Sequence, residues 1–201
     1  MNPDGMKTKA VNRQNAVHGL FLLGLLAIIS TGCGAATFAS IRPGIEARGH
    51  YIGGVPFFHQ TGNDCGPAAL AGIFAFYGMP VDLATITASI YLPRLKGTLP
   101  MDLERYAKNA GLKTVSSSGS ANDLRSAVRN NVPVICLIDL GFGPYRQPHY
   151  VTIIGFDDGN GLFIMNDGIT QDRTMSYETF EKKWARAGRW MIIIKPGGEE
   201  R

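Results

Sequence analysis

The sequence predicts an α+β domain with a mostly antiparallel sheet, and three observations carry that expectation. Apolar residues recur at helical spacing through the first half of the globular region. From Val132 the pattern changes to short continuous apolar runs of strand length. Between two of those runs, Asp157-Asp158-Gly159-Asn160-Gly161 is a hairpin turn signal. The chain has 201 residues, 45% hydrophobic and 18% charged, which suits one domain with a short appendage. That hydrophobic content excludes a disordered chain, and no solenoid-type repeat is present. Of the net charge of +4, residues 1–32 supply +2 (Lys7, Lys9 and Arg13 against Asp4), so only +2 remains for the rest. Without a Lys/Arg run there, no nucleic-acid partner is expected.

The elements follow in order. Residues 1–15 are polar and mildly basic, and 16–31 read AVHGLFLLGLLAIIST, an apolar run short of the ~18–20 residues that span a bilayer. It suits the core of a signal peptide. Ser30-Thr31-Gly32-Cys33 then resembles a bacterial lipobox, with Ser30 standing where that pattern prefers Leu. Residues 1–32 are expected to be a signal peptide and Cys33 a lipid-bearing N-terminus; ordinary cleavage, for example after Ala39, and an uncleaved anchor are the alternatives. Each reading places the remainder outside the cytoplasm, at the cell envelope. Residues 33–50 lack periodicity and read as a tether, leaving 51–197 as the domain. Within it, 55–58 is a strand candidate. A helix over 66–78 has Pro67 at its start and Gly78 past its end. Further helices are expected over 81–90, 100–110 and 121–130, the last capped by Ser120. Strands are expected over 134–138, 150–156 and 162–165, then a helix over 176–187 and a strand over 190–194.

Cys136 lies inside an apolar strand and reads as a small core hydrophobe. Cys65, in Asp64-Cys65-Gly66-Pro67, lies at a helix mouth, where free N–H groups favour a thiolate and a lowered thiol pKa. Of the histidines, His18 falls in the export segment, His50 in the tether and His59 in a loop, while His149 opens a strand. With the turn centred on Gly159, Asp167 faces Val151 and shares a sheet face with His149. Its carboxylate would then accept the imidazole Nδ1–H and leave Nε2 for the thiol. A one-residue change of register would pass that role to Asn166. Gln60, five residues before Cys65, reads either as a solvated loop residue or as an oxyanion donor alongside the Cys65 N–H. No zinc-type spacing occurs, and neither metal nor cofactor is expected.

The stretch from Val55 through Gln60 to Cys65-Gly66-Pro67-Ala68-Ala69-Leu70 resembles the catalytic motif of the bacteriocin-processing (double-glycine) cysteine peptidases, a papain-like family. Residues 148–157 resemble its histidine strand and Met165-Asn166-Asp167-Gly168 its aspartate segment, where the family often has Asp-Pro. The resemblance extends over roughly residues 53–195. It implies a papain-like fold, N-terminal helices packed on the sheet, with Cys65 as nucleophile, His149 as general base and then acid, Asp167 as orienter and Gln60 as oxyanion donor. The implied reaction is peptide hydrolysis through a thioester, on a peptide or protein substrate. The chain has no P-loop motif, so ATP is not expected as a partner. The alternatives are a cysteine transpeptidase or amidase, a non-catalytic peptide-binding module, and a redox pair of Cys65 with Cys136.

Overall fold

A computed structural model describes residues 36–197; the signal peptide expected over 1–32 and the lipid-bearing Cys33 lie outside them. The tether reading of 33–50 is corrected from residue 36 onward. The chain there forms α1 (Phe38–Ile41), a 3-10 turn (Arg42–Gly44), α2 (Ile45–Arg48) and β1 (Gly49–Tyr51). Ile41 and Ile45, one helical turn apart, are buried in the core, and β1 pairs antiparallel with residues 155–157. Two isoleucines give no period long enough to read, and they seat the segment together with the β1 pairing and the Arg48–Asp157 ion pair.

The segment over 55–58 runs without strand pairing, which corrects the strand expected there. It lies instead against α3 (Cys65–Phe76), with the Pro56 carbonyl so close to Gly72 that a Cβ there would sit 2.8 Å from it. Leu70, Ile73 and Phe74 of α3 are buried, and Gly78 (φ +71) follows its end as expected. Next come α4 (Leu83–Ile90), α5 (Pro100–Asn109), β2 (Leu112–Ser118) and α6 (Ala121–Arg129). Ser120 caps α6 with a reciprocal pair: Asp123 N–H donates to its Oγ at 3.3 Å, and its own N–H donates to Asp123 Oδ2 at 2.8 Å. The chain closes with β3 (Val134–Asp139), β4 (Pro148–Asp157), β5 (Leu162–Asn166), β6 (Arg173–Ser176), α7 (Tyr177–Arg186) and β7 (Trp190–Pro196).

Among the described residues the strands form one antiparallel sheet in the order β2-β7-β3-β4-β5-β6, with β1 added to β4. Alternate residues of β3 enter two cores. Val134, Cys136 and Ile138 pack with Leu124 and Val128 of α6 and Phe180 and Trp184 of α7. Ile135 and Leu137 pack with the cluster under α3, α4 and α5. Helices thus cover both faces, which explains why β3 reads as a continuous apolar run. Strand β4 spans the middle of this sheet and delivers its first residues to the edge where α3 begins.

Candidate active site

Asp64 precedes α3 but does not cap it. Its carboxylate turns back and accepts from the N–H of Thr61 (3.0 Å) and Gly62 (3.2 Å) and from Thr61 Oγ1 (3.3 Å). This folds the 60–64 loop and leaves the first N–H groups of α3 for the thiol. The backbone amides of Tyr150 on β4, of Gly66 and of Cys65 itself lie near the thiol and favour its thiolate form. Burial is nonetheless the largest influence and pushes the Cys65 thiol above its ordinary value, with the Asp64 charge adding to the rise. The lowered thiol expected at a helix mouth is therefore corrected: desolvation of the thiolate outweighs the backbone donors.

His149 is buried near the start of β4, paired with Ile138 of β3. Its Nε2 lies 2.8 Å from the main-chain carbonyl oxygen of Asp167. A carbonyl only accepts, so Nε2–H is the donor and Nδ1 is the basic nitrogen of the neutral ring. The expected contact, Nδ1–H on the Asp167 carboxylate, is corrected in both partners. The carboxylate is occupied elsewhere. Arg173 donates to Oδ2 at 2.6 Å, and the N–H groups of Ile169 and Thr170 donate to Oδ1 at 2.9 and 2.6 Å. Asp167 opens a turn through Gly168 (φ +78), and its carboxylate is the nearest acceptor for the two amides that turn frees. Burial and these donors pull against each other, and the donors win: the carboxyl is held below its ordinary value. For His149, burial lowers the imidazole, Asp167 opposes, and Arg173 adds to the lowering. The alternative orienter, Asn166, uses its Oδ1 to accept the Asp172 N–H at 3.1 Å.

Gln60 is tied to the same turn, its N–H donating to the Gly168 carbonyl at 2.8 Å. The Oε1 end of its amide is buried without a partner, in a place where a Cβ on Gly168 would approach it to 2.9 Å. Gln60, Cys65 and His149 all line one cleft, whose volume is about 430 Å³. Asp167 lies behind His149 rather than in the wall.

A second buried aspartate shapes the cleft, and the sequence reading did not find it. Asp139, at the end of β3, accepts at Oδ1 from the N–H of Gly141 (2.8 Å) and Gln147 (2.9 Å). At Oδ2 it accepts from Arg146 (2.9 Å) and from Nε of Arg186 on α7 (3.1 Å). Arg186 also donates to the carbonyls of Gly143 and Tyr145 at 3.3 Å. The 140–147 loop, which leads directly into His149, is therefore clamped from inside. The available signal was an aspartate ending an apolar strand; nothing in the spacing tied it to Arg186.

The redox alternative is corrected as well. Cys65 and Cys136 are both free thiols and belong to the cores on opposite faces of the sheet.

A model of the Peptidase_C39 like family matches residues 52–192. No curated protein matches the chain in sequence. Among solved structures, the peptidase domain of Streptococcus ComA, a bifunctional ABC transporter of a quorum sensing pathway, is 24% identical over 71% of this chain and 99% of its own, with a TM-score of 0.60. A C39-like peptidase from Bacillus anthracis is 19% identical over 76% of this chain and 100% of its own, with a TM-score of 0.62. A double glycine motif protease from an AMS/PCAT transporter, solved with its leader peptide, is 22% identical over 73% and 94%, with a TM-score of 0.59. What these structures share with the chain is the fold, the papain-like α+β architecture expected from the sequence.

Proposed function

This chain belongs to the Peptidase_C39 like family, and on that premise we propose that it is a cysteine peptidase acting through Cys65 and His149. The observation that carries the reading is local. The Cys65 thiol and the His149 ring line one cleft, and the residue following His149, Tyr150, lies against the start of α3, where a Cβ on Gly66 would meet its ring at 3.2 Å. The carbonyl of Asp167 meanwhile leaves Nδ1 as the free base.

In the resting site both groups are neutral. Nδ1 takes the thiol proton as Sγ bonds to the substrate carbonyl carbon, and the oxygen that gains charge receives Gln60 Nε2–H and the Cys65 N–H. The imidazolium, held through Nε2–H on Asp167, gives its proton to the leaving amine as the C–N bond breaks. Water, deprotonated by the same nitrogen, then hydrolyses the thioester and returns the thiol. A peptide substrate fits the solved double glycine motif protease, which holds its leader peptide. The proposal includes export and anchoring at the cell envelope through Cys33, which rests on the apolar run and lipobox-like residues before it.

The test is a proteome-derived peptide mixture read by mass spectrometry for new termini. Cleavage is expected with the unaltered protein and is lost in Cys65→Ala and His149→Ala. For a cleaved peptide, kcat/KM should rise through a pKa below the ordinary 6.5 of histidine and fall only above the ordinary ~8.5 of a thiol. Peptide binding without Cys65-dependent cleavage would overturn the peptidase reading in favour of a binding module.

A further inference from the structure

The cleft wall beside Cys65 carries large apolar side chains that the fold leaves wet. Leu95 is 60% exposed, Leu99 38% and Ile169 56%, and all three line the cleft together with the better-covered Leu137 and Leu140. Leu95 sits at the tip of a tight turn closed by the Leu92–Gly97 bridge, with Lys96 at φ 49. Turn tips ordinarily carry small or polar residues, so a leucine there has no local structural reason.

This wall is held close to the nucleophile. The Tyr150 hydroxyl donates to the Thr98 carbonyl at 3.0 Å, and Thr98 packs against Gly66, one residue beyond Cys65, where a Cβ would meet Thr98 at 3.1 Å. Leu99 therefore follows a residue that touches the start of α3. Among the described residues no carboxylate lines the cleft, and Lys96 is the side chain in it that carries a full positive charge. About 430 Å³ falls within the range of pockets that bury most of a small ligand, which leaves room for a side chain.

We propose that the cleft selects peptides with a bulky apolar side chain within two residues of the scissile bond, seated among Leu95, Leu99, Leu140 and Ile169. The proposal rests on the peptidase reading for what happens to the bound peptide, but the preference itself is a property of the wall. A glycine pair at the scissile bond would leave these leucines in water. A leucine or phenylalanine there would cover them and gain the free energy of burying both surfaces.

The experiment uses the full chain and two sets of internally quenched peptides of the same length, identical except for Leu-Phe or Gly-Gly at the centre. The Leu-Phe set is expected to have a kcat/KM at least about tenfold higher, and Leu95→Ser/Leu99→Ser should reduce that ratio to about threefold or less. Both positions are on the surface, so the fold tolerates the change; circular dichroism of the double variant verifies this. Equal or better cleavage of the Gly-Gly set overturns the preference while the peptidase reading stands. The same peptides, fluorescently labelled, are titrated into Cys65→Ala by anisotropy. Tighter binding of the Leu-Phe set supports the preference even if no cleavage occurs, an outcome that would count against the peptidase reading alone. Equal binding in that titration, with no cleavage, overturns the preference too.

Discussion

Asp167 shows how one residue can supply two different acceptors. Its carbonyl receives His149 Nε2–H, while its carboxylate, 1% exposed, serves Arg173 and the turn amides. Replacing the carboxylate leaves the carbonyl in place. We therefore expect Asp167→Asn to lower kcat less than tenfold, since the amide oxygen still accepts the Ile169 and Thr170 N–H groups. Stability should fall by about 1–3 kcal/mol through loss of the Arg173 contact, measured by urea unfolding. A carboxylate that orients the base directly costs about 10⁴ in kcat when it becomes an amide; a loss of that size would overturn the assignment of the carbonyl as orienter. At this scale Cys65 and His149 were legible because few residue types do their chemistry, and their neighbours in sequence are distinctive. Arg173 was not legible, because a pairing six residues on from Asp167 depends on how the intervening turn folds.

At the scale of elements, the hairpin explains both a success and its accident. A turn centred on Gly159 predicts pairs whose numbers sum to 318, and Thr152–Asn166 and Ile153–Met165 do so. Near the turn, however, Gly155–Ile164, Phe156–Phe163 and Asp157–Leu162 sum to 319. A bulge between Ile153 and Gly155 absorbs the difference, and its Ile154 carbonyl accepts the Ile52 N–H at 2.8 Å. The register at the site end was right although the turn was placed half a residue off. Strand β2 went unread for another reason: as an edge strand it buries only Leu112 fully, and LKTVSSS has no apolar alternation to detect. The 55–58 segment misled because its apolar side chains cover a helix rather than join a sheet. That contact can be tested with Gly72→Ala. The new methyl meets the Pro56 carbonyl at 2.8 Å, and helix propensity returns at most about 1 kcal/mol. Thermal unfolding should show a net loss of about 1–2 kcal/mol; an unchanged or raised Tm would mean the 55–58 segment is not held against α3.

For the whole molecule, buried ionisable groups set the response to acid. His149 titrates below its unfolded value of about 6.5, so the unfolded chain takes up its proton first and stability declines as pH falls through that window. Asp139, Asp157 and Asp167 are also depressed in the fold: burial would raise each, but arginine and amide donors outweigh it. Their contribution is complete above the unfolded carboxylate value of about 3.9 and is lost as pH falls through their folded values. Urea midpoints across pH 3–8 should therefore fall in two stages, one beginning near ~6.5 and one near ~4, with His149→Ala abolishing the first. A single stage confined to the carboxylate range would contradict the burial of a neutral imidazole.

The clamp at Asp139 has a consequence in time as well as in shape. The loop entering β4 is roofed by an arginine from α7 and floored by a carboxylate from β3, elements far apart along the chain. Such a loop is held at both ends, and we expect its Gly141 and Gln147 amides to exchange more slowly than those of an unclamped surface loop, as residue-resolved hydrogen exchange would show. The ground beside the histidine is thus tied to the last helix of the chain.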